Sequence, residues 1–211
     1  MIEAVIFDLG GVLLNLHGER AMACFGARLP QFDAATLKLR FESMLPTQAR
    51  YEKGEMTTAA FVDAVRRHFD FDFETDWFHA CWQDMFTPNT KMVQLLGQLA
   101  RYYPCHLLSN TNALHMDYIY RHYPFFHHFR SQTLSFEVGL LKPDEAIYQL
   151  AAEYADTEIT HCLFIDDRME NVIAARAAGM QAICFKNDEI LMQALIQQGL
   201  KPEYVNAGAL L

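Results

Sequence analysis

The stretch Ala4-Val5-Ile6-Phe7-Asp8-Leu9-Gly10-Gly11-Val12 constrains this chain more than any other. Its opening run is apolar without polar alternation, the pattern of a strand buried on both faces, and it predicts a strand over residues 3–8. The run stops at a carboxylate, and a pair of glycines follows. Strands buried on both faces belong to parallel sheets covered by helices, and ligands bind such sheets beyond the carboxyl ends of the strands. Asp8 therefore stands at the mouth of a prospective site.

The rest of the chain divides into two characters. From about residue 18 to 88 strand-like runs vanish and helical spacing takes over, in Ala21-Met22, Phe25 and Leu29, then in Leu37, Phe41 and Met44-Leu45 up to Pro46. Thr57-Thr58 reads as an N-cap before a helix holding Phe61-Val62 and Val65, and Trp77-Phe78, Cys81-Trp82 and Met85-Phe86 make a fourth stripe. These amphipathic segments predict a four-helix bundle inserted into an α/β domain. After Pro88 helix and strand alternate. Strands are expected at Cys105–Leu108, Ser131–Leu134, Cys162–Ile165 and Ala182–Phe185, with helices between them; one opens at Lys142-Pro143-Asp144. The predicted fold is α/β: a Rossmann-like parallel sheet with helices on both faces, formed by residues 1–16 and 89–211, plus a small helical bundle over 17–88.

Strand ends carry Asp8, Ser109-Asn110 and Asp166-Asp167, and in a parallel sheet these converge on one edge, within reach of Lys142. The three acids and one lysine sum to −2, a costly charge for a buried cluster unless protons or a cation offset it. The donors are carboxylate and carbonyl oxygens, which favours Mg²⁺ over Ca²⁺ or Zn²⁺. Ser109, the backbone N–H of Asn110 and Lys142 suit the oxygens of a transferring phosphoryl group.

Together, Phe7-Asp8-Leu9-Gly10-Gly11-Val12, Leu108-Ser109-Asn110-Thr111, Lys142-Pro143 and Phe164-Ile165-Asp166-Asp167 resemble the four motifs of the haloacid dehalogenase-like (HAD) hydrolases, in order and across the whole chain. The inserted helices resemble that family's helical cap of the first type. The runs Glu52-Lys53-Gly54-Glu55-Met56-Thr57 and Lys142-Pro143-Asp144-Glu145-Ala146-Ile147-Tyr148 are most similar to the branch of glucose-1-phosphate phosphatases, and also to the phosphatase domain of soluble epoxide hydrolase. The resemblance implies Asp8 as nucleophile and metal ligand, the Gly10 carbonyl and Asp167 as further ligands, and Asp166 as a residue that supports Asp167 or binds the metal through water. It implies Ser109 and Asn110 as phosphate-binding residues and Lys142 as the group that stabilises nucleophile and phosphoryl. The implied activity is a Mg²⁺-dependent phosphatase for a small phosphorylated metabolite, a hexose 1-phosphate foremost, through an aspartyl phosphate.

The sequence departs from the family at Gly10, where most of its phosphatases carry an aspartate that serves as general acid and base; the glucose-1-phosphate branch shares the glycine. Acid–base help of roughly 10²–10⁴-fold must then come from elsewhere. His17 is one candidate. Two other readings stay open: a metal-free 2-haloacid dehalogenase using Asp8, and a phosphometabolite-binding regulatory protein. Asn171 either orients the metal site or packs on a helix surface. His122, His127 and His128, among aromatics without regular ligand spacing, read as a packed loop rather than a metal site. The net charge of −9 opposes non-specific binding to nucleic acid or anionic membrane. Five cysteines without a CxxC read as reduced core residues, no leader or membrane-length apolar run is visible, and a cytoplasmic protein, monomer or homodimer, is expected.

Overall fold

The computed structural model describes residues 1–205. The chain opens with β1 (Ala4–Phe7) and turns into β2 (Leu14–Leu16). It then runs through α1 (Gly18–Arg28), α2 (Ala34–Ser43), α3 (Leu45–Glu52), α4 (Thr58–Phe69) and α5 (Thr75–Gln83) before β3 (Phe86–Pro88). It continues through α6 (Thr90–Leu99), β4 (Cys105–Ser109), α7 (Ala113–His122), β5 (Phe129–Leu134), the short α8 (Ser135–Val138) and α9 (Glu145–Tyr154). Last come β6 (Cys162–Asp166), α10 (Met169–Ala177), β7 (Gln181–Cys184), α11 (Asp188–Gln197) and α12 (Pro202–Val205).

Five strands form one sheet in the order β5-β4-β1-β6-β7, and every pairing is parallel. The chain steps outward from β1 through β4 to β5, then crosses back to β6 and β7 on the other side. The order reverses beside β1, and the crevice at such a reversal is where open α/β sheets bind ligands. Alternate side chains of β1 serve opposite faces. Val5 and Phe7 pack with Leu96 and Leu99 of α6, Ile119 of α7 and Leu191 of α11. Ala4 and Ile6 pack with Ile147 and Tyr148 of α9 and Val172 of α10. All four β1 residues are fully buried, so the strand has no polar alternation. Truncating Phe7 to Ala there costs about 3–5 kcal/mol.

Five helices, rather than four, lie between β2 and β3. Pro46 does not end a helical stretch; it occupies the first turn of α3, where its missing N–H has no intrahelical acceptor to lose. Thr57 caps α4 through Ala60 N, and Asp33 caps α2 through Thr36 N. The helices enclose an aromatic core of Phe25, Phe61, Phe69, Phe73, Phe78 and Trp82. Leu114, from α7 of the sheet domain, completes that core, and its N–H donates to Tyr51 Oη (3.2 Å). Phe86 is not the tail of a helical stripe: α5 stops at Gln83 and Phe86 opens β3, which pairs antiparallel with β2.

The expectation of five reduced cysteines fails at two of them. Cys24 of α1 and Cys81 of α5 are joined as a disulfide, with Cα atoms 5.7 Å apart, while Cys105, Cys162 and Cys184 are free. Helical packing brings together two thiols 57 residues apart, a proximity invisible to spacing rules. Among the described residues no helix is long and apolar enough to cross a membrane.

Candidate active site

The site begins with the turn after β1. Asp8 N donates to Ile165 O (2.9 Å), carrying the ladder one residue past the strand, and Leu9 N donates to Asp8 Oδ1 (2.7 Å). Gly11 then takes φ +78°, a conformation that strongly favours glycine. A Cβ at Gly11 would lie 2.3 Å from Asp167 Oδ2, so the absent side chain lets the turn press directly against that carboxylate. A Cβ at Gly10 meets Leu16 Cδ1 at 3.0 Å: the space of the family's usual acid is bounded by a leucine.

Lys142 is buried at the centre. Its Nζ donates to Asp8 Oδ1 (2.7 Å), Asp166 Oδ2 (2.7 Å) and Leu108 O (3.2 Å). Asn110 clamps its backbone from both sides, with Nδ2 donating to Lys142 O (2.9 Å) and Oδ1 accepting from Lys142 N (2.8 Å). Lys142 does not open a helix as expected. The Lys142–Pro143 peptide is cis, and α9 starts at Glu145 behind Asp144, whose side chain accepts from Ala146 N and is the stronger N-cap. Ser109, buried at the end of β4, makes one long bond, to Asn110 O (3.4 Å). The cap of α7 is Asn112, whose side chain accepts from His115 N.

Asp166 ends β6 in complete burial. Besides Lys142 it accepts from Arg168 N (2.8 Å) and from Asn171 Nδ2 (3.0 Å to each oxygen). Asn171 is thus no surface-packing residue; it fixes this carboxylate. Asp166 is saturated by the protein, whereas the adjacent Asp167 is half-buried and open to the cavity. Ligand atoms of Asp8, Asp166 and Asp167 lie within 4.8 Å of one another, the one such His, Cys, Asp or Glu cluster among the described residues.

Burial pushes the Asp8 carboxyl up to about 7; Lys142 opposes this and the Asp166 charge reinforces it. Asp167 is also raised, by burial and then by Asp166. For Lys142 burial acts downward, but Asp8 and Asp166 prevail and hold its ammonium above the ordinary lysine value. Three carboxylates around one ammonium leave an unmet negative charge, and the donors are all hard oxygens, which fits a divalent cation of the Mg²⁺ kind. Gly10 lines the cavity above this cluster, and its carbonyl receives no hydrogen bond from the described residues.

A cavity of about 470 Å³ opens over the cluster. Asp8, Gly10, Asn110, Lys142 and Asp167 line it together with Leu45, Gln48, Ala49 and Glu52 of α3. Leu16 and Leu45, both more than half exposed, give its mouth an apolar rim. Sequence reasoning missed Gln48, Glu52 and Arg168. The signal was the spacing 45, 48, 49, 52, one face of a helix, but nothing local told which face looks inward. His17 is held elsewhere, by Thr87 Oγ1 (2.8 Å) and Glu19 (3.2 Å), and does not line the cavity. His122 and His127 bond the carbonyls of Tyr118 and Pro124 in a packed aromatic turn. A larger cavity of about 620 Å³, beside Glu3, Ala152 and Ile159, lies at the opposite edge of the sheet, where β1 and β6 begin.

The family model of haloacid dehalogenase-like hydrolases matches residues 2–179. The chain belongs to this family. Among solved structures, this HAD-like hydrolase is similar to a HAD family enzyme of Bacteroides thetaiotaomicron, a mutant crystallised with magnesium and inorganic phosphate. The two share 27% identity and a TM-score of 0.78 over 88% of this chain and 95% of that one. Among sequences it is 23% identical over 189 residues to D-ribitol-5-phosphate phosphatase of the same organism, covering 86% of this chain and 90% of the relative. It is 25% identical over 202 residues to a drimenol cyclase of Aspergillus calidoustus, covering 92% of this chain but 36% of the far longer relative.

Proposed function

We propose that this HAD-like hydrolase is a Mg²⁺-dependent phosphatase of a small phosphorylated metabolite, working through an aspartyl phosphate on Asp8. One observation carries the reading: Asp8 is buried on an ammonium, within 4.8 Å of two further carboxylates, beneath a cavity roofed by the inserted helices. Relatives support it, one named for a polyol phosphate and one crystallised with magnesium and phosphate. Asp8, Asp167 and the Gly10 carbonyl would hold the cation, and Asp166, its oxygens already spoken for by Lys142, Asn171 and Arg168 N, would fix the loop carrying Asp167. When bound, Mg²⁺ supplies the positive charge that lets a carboxylate approach a phosphate dianion.

The chain's own groups do the rest. Lys142 holds Asp8 Oδ1 and leaves Oδ2 as the attacking oxygen. Asn110 keeps Lys142 in place and, with Ser109, offers donors to the phosphate oxygens. We infer a sugar phosphate as substrate, with a hexose 1-phosphate first in line, since its anomeric oxygen leaves more readily than an alkoxide. Asp8→Asn is the test, in a screen of sugar 1- and 6-phosphates with and without Mg²⁺. The variant should lose turnover by several orders of magnitude, and full metal-dependent hydrolysis in it would sink the assignment. Chloride release from 2-haloacids in chelator would instead support the dehalogenase reading.

A further inference from the structure

We propose that Glu52, on the inserted helix α3, is the general acid and base that the sheet domain lacks at Gly10. The proposal rests on the phosphatase reading above. An alkyl ester oxygen departing from phosphorus needs a proton, and the position two residues after Asp8 has no side chain to give one. Other ionisable groups on the cavity wall are already committed. Lys142 donates to three acceptors. Arg168 is a permanent cation paired with the exposed Glu170. Asp167 belongs to the cation set, and His17 is bonded to Thr87 outside the cavity. Glu52 is left, lining the same cavity as Asp8 from the inserted helix α3.

Its position is fixed from both sides by contacts between the inserted helices and the sheet domain. The preceding residue, Tyr51, accepts a hydrogen bond from Leu114 N of α7 (3.2 Å). Two residues on, Gly54 takes φ +73° and runs so close to α8 that a Cβ there would lie 2.2 Å from Phe136 O. The end of α3 is therefore docked on the same domain that carries Asp8. One turn back, Gln48 Nε2 donates to Glu52 Oε1 (2.8 Å), which orients the carboxyl and leaves Oε2 for a proton. Burial raises the Glu52 pKa, while Gln48, Arg168 and Lys142 pull it back.

The step balances. Asp8 Oδ2 bonds to phosphorus, the P–O ester bond breaks, and the proton of Glu52 passes to the departing oxygen, releasing the alcohol. The Glu52 carboxylate then takes a proton from water as the water oxygen bonds to phosphorus. The bond from phosphorus to Asp8 breaks, phosphate leaves, and Glu52 is protonated again.

The test compares the intact wild-type protein with Glu52→Gln, in Mg²⁺, on an alkyl phosphate and on 4-nitrophenyl phosphate, whose leaving group needs no proton. Rapid-quench trapping of phospho-Asp8 is the readout. With the alkyl ester, phosphoenzyme formation should slow by roughly 10²–10⁴-fold in Glu52→Gln. With the nitrophenyl ester it should stay within about threefold of wild type, followed by accumulation of phosphoenzyme because its hydrolysis has lost the base. Losses for the two esters that differ by less than about tenfold would assign Glu52 to binding or positioning and overturn the proposal. Wild-type protein that turns over neither ester removes the phosphatase reading and the proposal with it. If Glu52→Gln melts below the assay temperature, Glu52→Ala is measured the same way.

Discussion

Replacing Gly11 with alanine should separate backbone strain from damage to the site. Gly11 and Gly199 both sit at positive φ, +78° and +92°. A non-glycine residue in that region costs about 1–2 kcal/mol, and for a chain of this size each kcal/mol lowers Tm by roughly 2–4 °C. At Gly199 a Cβ meets nothing within 4 Å, so Gly199→Ala should lose about 2–8 °C and nothing else. At Gly11 the new methyl would lie 2.3 Å from Asp167 Oδ2, 2.5 Å from its Cγ and 2.9 Å from Oδ1, so the whole carboxylate must move. Asp167 is half-buried and can swing away, so the added loss of stability should be small while the loss of cation binding is large. Gly11→Ala should therefore melt close to Gly199→Ala yet bind Mg²⁺ at least 10–100-fold more weakly, roughly the penalty seen when groups supporting a metal are disturbed. Calorimetric titration with Mg²⁺, beside thermal melts of both variants, measures the two effects. Wild-type Mg²⁺ affinity in Gly11→Ala would refute the contact between turn and carboxylate as the basis of the site.

Other outcomes follow from the same geometry. Lys142→Met leaves Asp8 and Asp166 buried without their ammonium and should cost about 3–5 kcal/mol in urea denaturation near neutral pH, together with nearly all activity. Burial pushes His115 down to about 3, below the value near 6.5 it takes when unfolded. Its contribution is therefore complete above pH 6.5 and lost as pH falls toward 3, amounting to about 3 kcal/mol between pH 7.5 and 4.5. His115→Phe should flatten that acid limb, and an unchanged limb would mean that other groups control it. Thiol titration of the denatured, unreduced protein should count three free cysteines of the five, and reduction should weaken the inserted helices by about 2–4 kcal/mol.

The three central strands, β4, β1 and β6, were legible because each is a short, fully buried and mostly apolar run closed by a polar residue, and Ser109, Asp8 and Asp166 mark those ends. Burial on both faces removes the need for alternation, and helices supply the crossovers, so the pattern and the fold imply each other. The ribbon of β2 and β3 was not legible: three residues carry no period, and Phe86 continues a helical stripe by spacing alone. The disulfide depends on how α1 lies against α5, which helical periodicity leaves free. The floor of the site was legible because strand register delivers it. The roof was not, because α3 buries only Tyr51 and so has no apolar stripe to show which way it is turned. Asn110 is a partial case. Its place at the edge was read correctly, but its side chain grips the Lys142 backbone, a contact across 32 residues.

The paired ribbon has a consequence for modularity. The chain leaves the sheet domain at Leu16 and returns at Phe86, and these two residues are partners in one antiparallel ladder. Entry and exit thus sit side by side, like the two ends of a plug-in cassette. A tight hairpin turn would reconnect them without disturbing the parallel sheet. A foreign insert with closely spaced termini has a ready socket, provided it also offers an apolar cover for Leu114. The reactive floor and the surface that screens what reaches it are thereby free to be exchanged independently, on a frame that stays the same.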